Sequence, residues 1–500
     1  MTPAYVDVGV RPPLPAASPR TAAGTEPSTA SSSVTAYDQG RLLAGHLLRR
    51  AGFGPTPKEL RRVERRGLTK WIDQQLDPQK INDSTAERAF PPGSTKPDED
   101  YDRIRRWYVR MATSRRQLQE KMTLIWHEHF ATSDEKVHAG LLMSDQEEFL
   151  RANSLGVFRD LLIGITKDQA MLIWLDNNYN NGRAAEPPNE NYAREFLQLF
   201  TVGTTMLNLD GTSITDAAGR LVPAYTENDV REIARALTGW YVHFPYESNN
   251  AQFGPLWHDE GPKTIMGVTL AGRAGDDGAN EVQDVVDLVL ARRETTVAAF
   301  ISKSLIEKLA TETPTPRYVS DIASVFLTTG GDIKEVVRAI LTDPEFTSPA
   351  VVRSQFKEPI EQFIGAVRAL EGETQGDALI DWTYDAGQLI YYPPSVFSFY
   401  PPGNKGTLVS TAYVLMREKM ADEFVRGSED TGFDPAKLLK KGKLKSTDQA
   451  VDYLSDLLLA APLQAEVRTE IINFMNDELT DEKLKGAVWL ILCSPDFQRN

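Results

Sequence analysis

Thiols, histidines, positive charge and long apolar runs are all scarce in this 500-residue chain. Its one cysteine, Cys493, excludes an intramolecular disulfide and any zinc site built on several thiolates. It falls in the apolar run Ala487 to Cys493 and reads as a buried, inert thiol. No segment approaches the roughly 20 consecutive apolar residues of a membrane helix, so no membrane insertion is expected. Lys and Arg number 55 against 70 Asp and Glu, a formal net charge of -15. That balance argues against a nucleic-acid partner or an anionic membrane surface, both of which are met with clustered cations. The one basic run, Lys440, Lys441, Lys443 and Lys445, reads as a solvated helix end or loop. There is no His-Glu-x-x-His, no Gly-Lys-Ser phosphate loop, no Gly-x-Ser-x-Gly and no dinucleotide fingerprint, so common hydrolase, kinase and dehydrogenase readings lose ground.

What is present is an ordinary globular composition, 41% hydrophobic and 25% charged. The length exceeds what one core usually supports. Residues 1–35 are rich in Pro, Ala, Ser and Thr with little hydrophobic patterning and read as a disordered tail. A basic segment followed by an apolar stretch, the mark of a secretory signal, is missing there, so a cytoplasmic location is expected. A main helical domain is expected over residues 36–350, with a C-terminal helical region, residues 351–500, packed on it.

Helical spacing dominates. Leu42, Leu43, His46, Leu47 and Leu48 recur at helical intervals before Gly52 and Gly54, and Thr56, Pro57 and Glu59 spell a capping box opening the next helix. A long helical pattern runs from Tyr101 to Phe130, with Leu118, Met122, Ile125 and His129 on one stripe. Another, Gln146 to Asp176, carries Phe149, Leu150, Phe158, Leu161, Leu162 and Ile165 in register. The region from Trp240 to Leu270 is broken by Gly and Pro and predicts a small hairpin or ordered loop, with strand character over Thr264 to Leu270. Asn208 to Gly211 and Asp216 to Gly219 read as turns of an inserted hairpin. The fold class is therefore mainly α: a large multi-helix domain with a small β-hairpin or ordered-loop insertion, plus a C-terminal helical region.

Seven segments in order carry a family resemblance: His46-Leu-Leu-Arg-Arg-Ala-Gly-Phe-Gly54, Trp126-His-Glu-His-Phe130, Leu150-Arg-Ala-Asn-Ser-Leu-Gly156, Ala170-Met-Leu-Ile-Trp-Leu-Asp-Asn177, Asn189-Glu-Asn-Tyr-Ala-Arg-Glu195, Tyr225 to Trp240, and His258-Asp259 with Gly261-Pro-Lys263. The chain so resembles the bacterial family named for domain of unknown function 1800. The resemblance implies ancestry but no reaction, cofactor or substrate. Because members often carry export signals, it also implies an exported protein as the alternative location. One departure concerns Pro393-Pro394-Ser395-Val396-Phe397, which the family usually closes with Gly-Trp; Ser398-Phe399 stands here instead. If that segment frames a pocket, the pocket differs in shape.

Several residues could carry chemistry. On a helix His127 and His129 point roughly 200° apart and cannot share one ion; His129, on the apolar stripe, is either a satisfied structural histidine or a ligand. Glu190, Asn191, Arg194 and Glu195 crowd one helix start, as an intrahelical ion pair or as a site for a cation. Thr226, Asp229 and Gly239 are explained as caps, leaving Arg231, Glu232 and Arg235 for ion pairs or a site. His258, Asp259 and Lys263 lie in an irregular segment, where functional groups concentrate. The expected catalytic set is His258, Asp259, Lys263, Arg194 and Arg231. The expected metal set is His129, Glu190, Glu195 and His258, which if convergent would hold a divalent Zn, Mn or Fe.

Two functions follow from these readings. One is an enzyme with a polar pocket, using acid/base or metal-assisted hydrolytic chemistry on an unknown small-molecule or polymer substrate. The other is a non-catalytic helical binding or assembly protein with a protein partner, whose polar motifs form buried networks.

Overall fold

Thr56 and Thr226 each open a helix as their spacing predicts, in a computed structural model that describes residues 39–84, 86, 100–243, 247, 251–400, 408 and 410–500. Thr56 Oγ1 accepts from Glu59 N at 3.2 Å while Glu59 Oε2 accepts from Thr56 N at 3.0 Å, starting the helix Pro57–Arg66. Asp229 plays the part of Glu59 in the helix Glu227–Ala236, accepting from Thr226 N at 2.8 Å. The tail expected over residues 1–35 lies outside the described residues.

The fold is mainly α-helical, and its strands form two-stranded sheets. Lys263–Ile265 pairs antiparallel with Val268–Leu270 across a turn at Met266 (φ 49°) and Gly267 (φ 78°), both left-handed as a tight hairpin turn requires. Trp240–Val242 pairs with Ala251–Phe253. The inserted hairpin is present as isolated bridges joining Leu207 to Ser213 and Thr215 to Leu221. Among the described residues no helix is long and apolar enough to cross a membrane.

Two long helical patterns are cut by side chains that spacing alone does not reveal. The Tyr101 to Phe130 stretch becomes Asp100–Thr113 and Gln117–Phe130. Between them the Asp83 carboxylate accepts from Ser114 Oγ at 2.7 Å and from Arg115 N at 2.6 Å, and Gln117 Nε2 donates to the carbonyls of Met111 and Ser114. These bonds satisfy backbone groups that a continuous helix would have paired. The Gln146 to Asp176 stretch becomes three helices, Gly140–Asn153, Phe158–Thr166 and Gln169–Trp174, the last capped by Asp168.

The described residues fall in one compact unit with two main apolar cores. One runs through Leu118, Phe196, Val285 and Ile340, the other through Trp107, Phe363, Phe424 and Val488. The helix Gln117–Phe130 serves both, sending Leu118, Met122, Ile125 and Trp126 into the first and Leu124 into the second. A polar residue on this helix therefore sits at the seam between the cores, where Glu128 is found.

Candidate functional site

At that seam lies a cavity of about 190 Å³. The helix Gln117–Phe130 supplies Ile125, Glu128 and His129, and the helix Glu294–Leu309 supplies Phe300, Ser304, Glu307 and Lys308. The loop that follows the two prolines closes it with Val396, Phe397, Ser398 and Tyr400. Most of the wall is apolar, with a few polar groups converging, the usual make-up of a small-molecule site.

Glu128, one of those polar groups, forms a carboxylate pair with Glu358, which does not itself line the cavity. Lys308 Nζ bonds Glu128 Oε2 and lies 3.5 Å from Glu358 Oε1. Gln388 Nε2 donates to the same two residues, to Glu358 Oε2 at 2.7 Å and Glu128 Oε1 at 3.3 Å. Its own carbonyl oxygen accepts from Ile360 N at 3.0 Å, which fixes the orientation of the amide. Glu358 is the N-cap of the helix Pro359–Ala369, so helix geometry sets one carboxylate and the seam helix the other. Burial, reinforced by the charge of Glu358, raises the pKa of Glu128 against the pull of Lys308. Burial opposes the charge on Lys308, but both carboxylates outweigh it and hold the ammonium above its usual range. Next to the pair, Lys121 and Arg50 overcome the burial of Glu361 and keep that carboxylate ionised.

His129 Nε2–H donates to Phe200 O at 3.1 Å. The acceptor lies in the last turn of the π-helical stretch Phe196–Thr201, which follows the helix Asn191–Glu195 and whose end leaves carbonyls unpaired. Burial holds the imidazole pKa down to about 4, so it is neutral at pH 7 with Nδ1 left as an acceptor. His127 turns away, as helical spacing predicts, and accepts from Tyr391 N at 3.2 Å.

The remaining expected site residues lie in separate groups. His258, Lys263 and Glu281 are buried together: Lys263 Nζ lies 2.7 Å from Glu281 Oε2, His258 Nε2 lies 3.5 Å from the same oxygen, and His258 Nδ1–H donates to Thr238 O at 3.0 Å. Asp259 takes two hydrogen bonds from Arg235, at 2.7 and 3.2 Å, and one from Gly261 N; these outweigh burial and lower its pKa. Arg194 bridges Glu190 at 3.2 Å and Glu227 at 2.8 Å near the surface. Arg231 is exposed and Glu195 is partly buried. Among the described residues no group of three or more His, Cys, Asp or Glu could hold a metal ion, so His129, Glu190, Glu195 and His258 do not converge as a ligand set.

Glu128, Glu358, Lys308 and Gln388 were not singled out by sequence. Glu128 stood inside the Trp126 to Phe130 segment, but its three partners lie far along the chain, at separations of 180 residues for Lys308 and 260 for Gln388. The loop signal was legible in part: of the segment Pro393 to Phe397, Val396 and Phe397 line the cavity, with Ser398 where the resemblance leads one to expect glycine.

No curated protein and no solved structure matches this chain. A family described as "protein of unknown function (DUF1800)" matches residues 46–499. With nearly its whole length covered by that match and the seven motif segments inside it, the chain belongs to the DUF1800 family.

Proposed function

We propose that the protein is an acid/base enzyme acting on a small, largely apolar molecule held in the cavity, with Glu128 as proton donor. The observation that carries this reading is the convergence of Glu128 and Glu358 on the single ammonium of Lys308 at the cavity wall. Burial and the facing Glu358 carboxylate outweigh the pull of Lys308 and Lys121, so Glu128 keeps a proton at higher pH than an isolated carboxyl would. Glu128 lines the cavity and can pass its proton to a bound group, while Lys308 balances the charge left behind and Gln388 holds both carboxylates in place. Neutral His129 offers an acceptor on the same wall. This chemistry suits hydrolysis of a polarised bond.

A second reading, a non-catalytic helical binding or assembly protein, draws on the Lys263–Glu281 pair. These two groups satisfy each other inside the fold and fix packing without a ligand.

Glu128→Gln separates the two readings. Under the first, the parent-minus-variant infrared difference spectrum at neutral pH carries a protonated-carboxyl band. Hydrolysis of a panel of 4-nitrophenyl esters and glycosides falls as pH rises through the raised pKa of Glu128, and the variant loses about 100-fold or more. An unchanged spectrum, or a variant as active as the parent, overturns the assignment.

A further inference from the structure

Ser398 holds a left-handed backbone conformation, φ 68°, which costs a residue with a β-carbon and suits glycine. Tyr391, earlier in the same loop, shares it at φ 69°, but there the surroundings account for it. Tyr391 N donates to His127 Nε2 at 3.2 Å, its carbonyl accepts from Asp134 N at 2.7 Å, and its hydroxyl donates to Glu147. Ser398 has no comparable set of bonds. Its N–H closes a turn onto Ser395 O at 3.0 Å, and its Oγ is buried with no hydrogen-bond partner among the described residues. A buried hydroxyl without a partner is a second cost added to the strain, and glycine at this position would relieve both. What the fold retains by keeping serine is one hydroxyl, on a residue that lines the cavity beside Glu128 and Lys308.

A nucleophilic serine requires a base within hydrogen-bond reach. Among the described residues Ser398 Oγ has none, which favours binding over attack. The charge of the ligand follows from the neighbours. An anion would meet the carboxylates of Glu307 and Glu312, and a cation would be drawn to those carboxylates in preference to a neutral hydroxyl. The size follows from the volume: about 190 Å³ exceeds the roughly 150 Å³ apolar cavity known to admit benzene.

We infer that Ser398 is a substrate-binding residue whose hydroxyl hydrogen-bonds the alcohol or carbonyl group of an uncharged ligand with an apolar body of about one ring. This role presupposes that the cavity is the ligand site, and one pair of probes separates the two questions. Toluene and benzyl alcohol differ by a single hydroxyl. Their affinities are measured by ligand-detected NMR on the full chain and on Ser398→Ala and Ser398→Gly, with toluene binding as the control for an intact cavity. The expected result is that both variants bind benzyl alcohol about 2- to 10-fold more weakly while toluene binds all three proteins alike. If both probes bind and neither variant changes the benzyl alcohol affinity, the role of Ser398 is overturned and the cavity remains a ligand site. If neither probe binds the parent protein, the cavity is not the ligand site and the role of Ser398 falls with it, whereas the infrared test on Glu128 still decides its protonation independently.

Discussion

Arg151 grips Glu120 through two hydrogen bonds, Nε to Oε1 at 2.9 Å and Nη2 to Oε2 at 3.0 Å, with both side chains buried. The same guanidinium reaches Glu147, which accepts from the Tyr391 hydroxyl, so the grip extends to the start of the loop that frames the cavity. Removing one partner of a buried pair leaves uncompensated charge and typically costs about 3–5 kcal/mol. Arg151→Met keeps much of the volume and discards the charge. Urea unfolding at neutral pH is expected to show a loss of that size. A loss below about 1 kcal/mol would overturn the structural role of this buried cluster.

Three histidines are held neutral by burial. His46 and His127 are pushed down to about 3 and His129 to about 4; for His46 the nearby charges of Arg50 and Arg49 add to the effect. Each folded pKa lies below the unfolded value near 6.5, so below that pH the unfolded chain binds more protons. Their contribution is intact above pH 6.5 and is lost as pH falls toward 4, at about 1.4 kcal/mol per pH unit for each histidine. His127→Gln retains an acceptor for the Tyr391 amide but cannot titrate. Stability measured by urea at pH 5, 6 and 7 is expected to fall less steeply with acid in this variant, by about one proton.

Asp168 works in the opposite sense. Burial, aided by Asp145, raises its carboxyl to about 7 in spite of hydrogen bonds from Met171 N and Gln146. Its folded pKa lies above the unfolded value near 3.8, so the folded state binds the extra proton, and stability is lost as pH rises from about 4 to 7. Asn caps a helix about as well as Asp. Asp168→Asn is expected to remove this loss while keeping the cap of the helix Gln169–Trp174. Its melting temperature should exceed that of the parent at pH 8 and converge with it near pH 4.

The helical fold was legible because its signals are local. Thr56 and Glu59, or Thr226 and Asp229, lie three residues apart and carry their own capping geometry. Helix breaks were less legible, since Asp83 interrupts a periodic pattern from some 30 positions away, at Ser114. The candidate site was legible only in part. His129 lay on a stripe and Val396 in a loop, and each could be flagged alone. Glu128 gains its character from Lys308, Glu358 and Gln388, which no spacing rule connects. His258 looked free because no periodicity claimed it, yet Thr238, Phe253, Gly278 and Glu281 surround it and bury it completely.

That buried cluster yields a last test. Lys263 and Glu281 are excluded from solvent, their side chains 0% and 1% exposed, with Nζ 2.7 Å from Oε2, and Lys263 also donates to Asp259 O. Glu281 Oε1 in turn accepts from Arg273 N at 2.6 Å, joining the segment after the hairpin to the next helix. Lys263→Met would strand the carboxylate beside His258 Nε2 and the amide of Arg273, too little to replace an ammonium. A loss of about 3–5 kcal/mol is expected in urea melts, with ligand binding at the cavity unchanged in the fraction that stays folded. A variant that keeps its stability but loses turnover would place His258, Asp259 and Lys263 in the chemistry, and would move the proton donor away from Glu128.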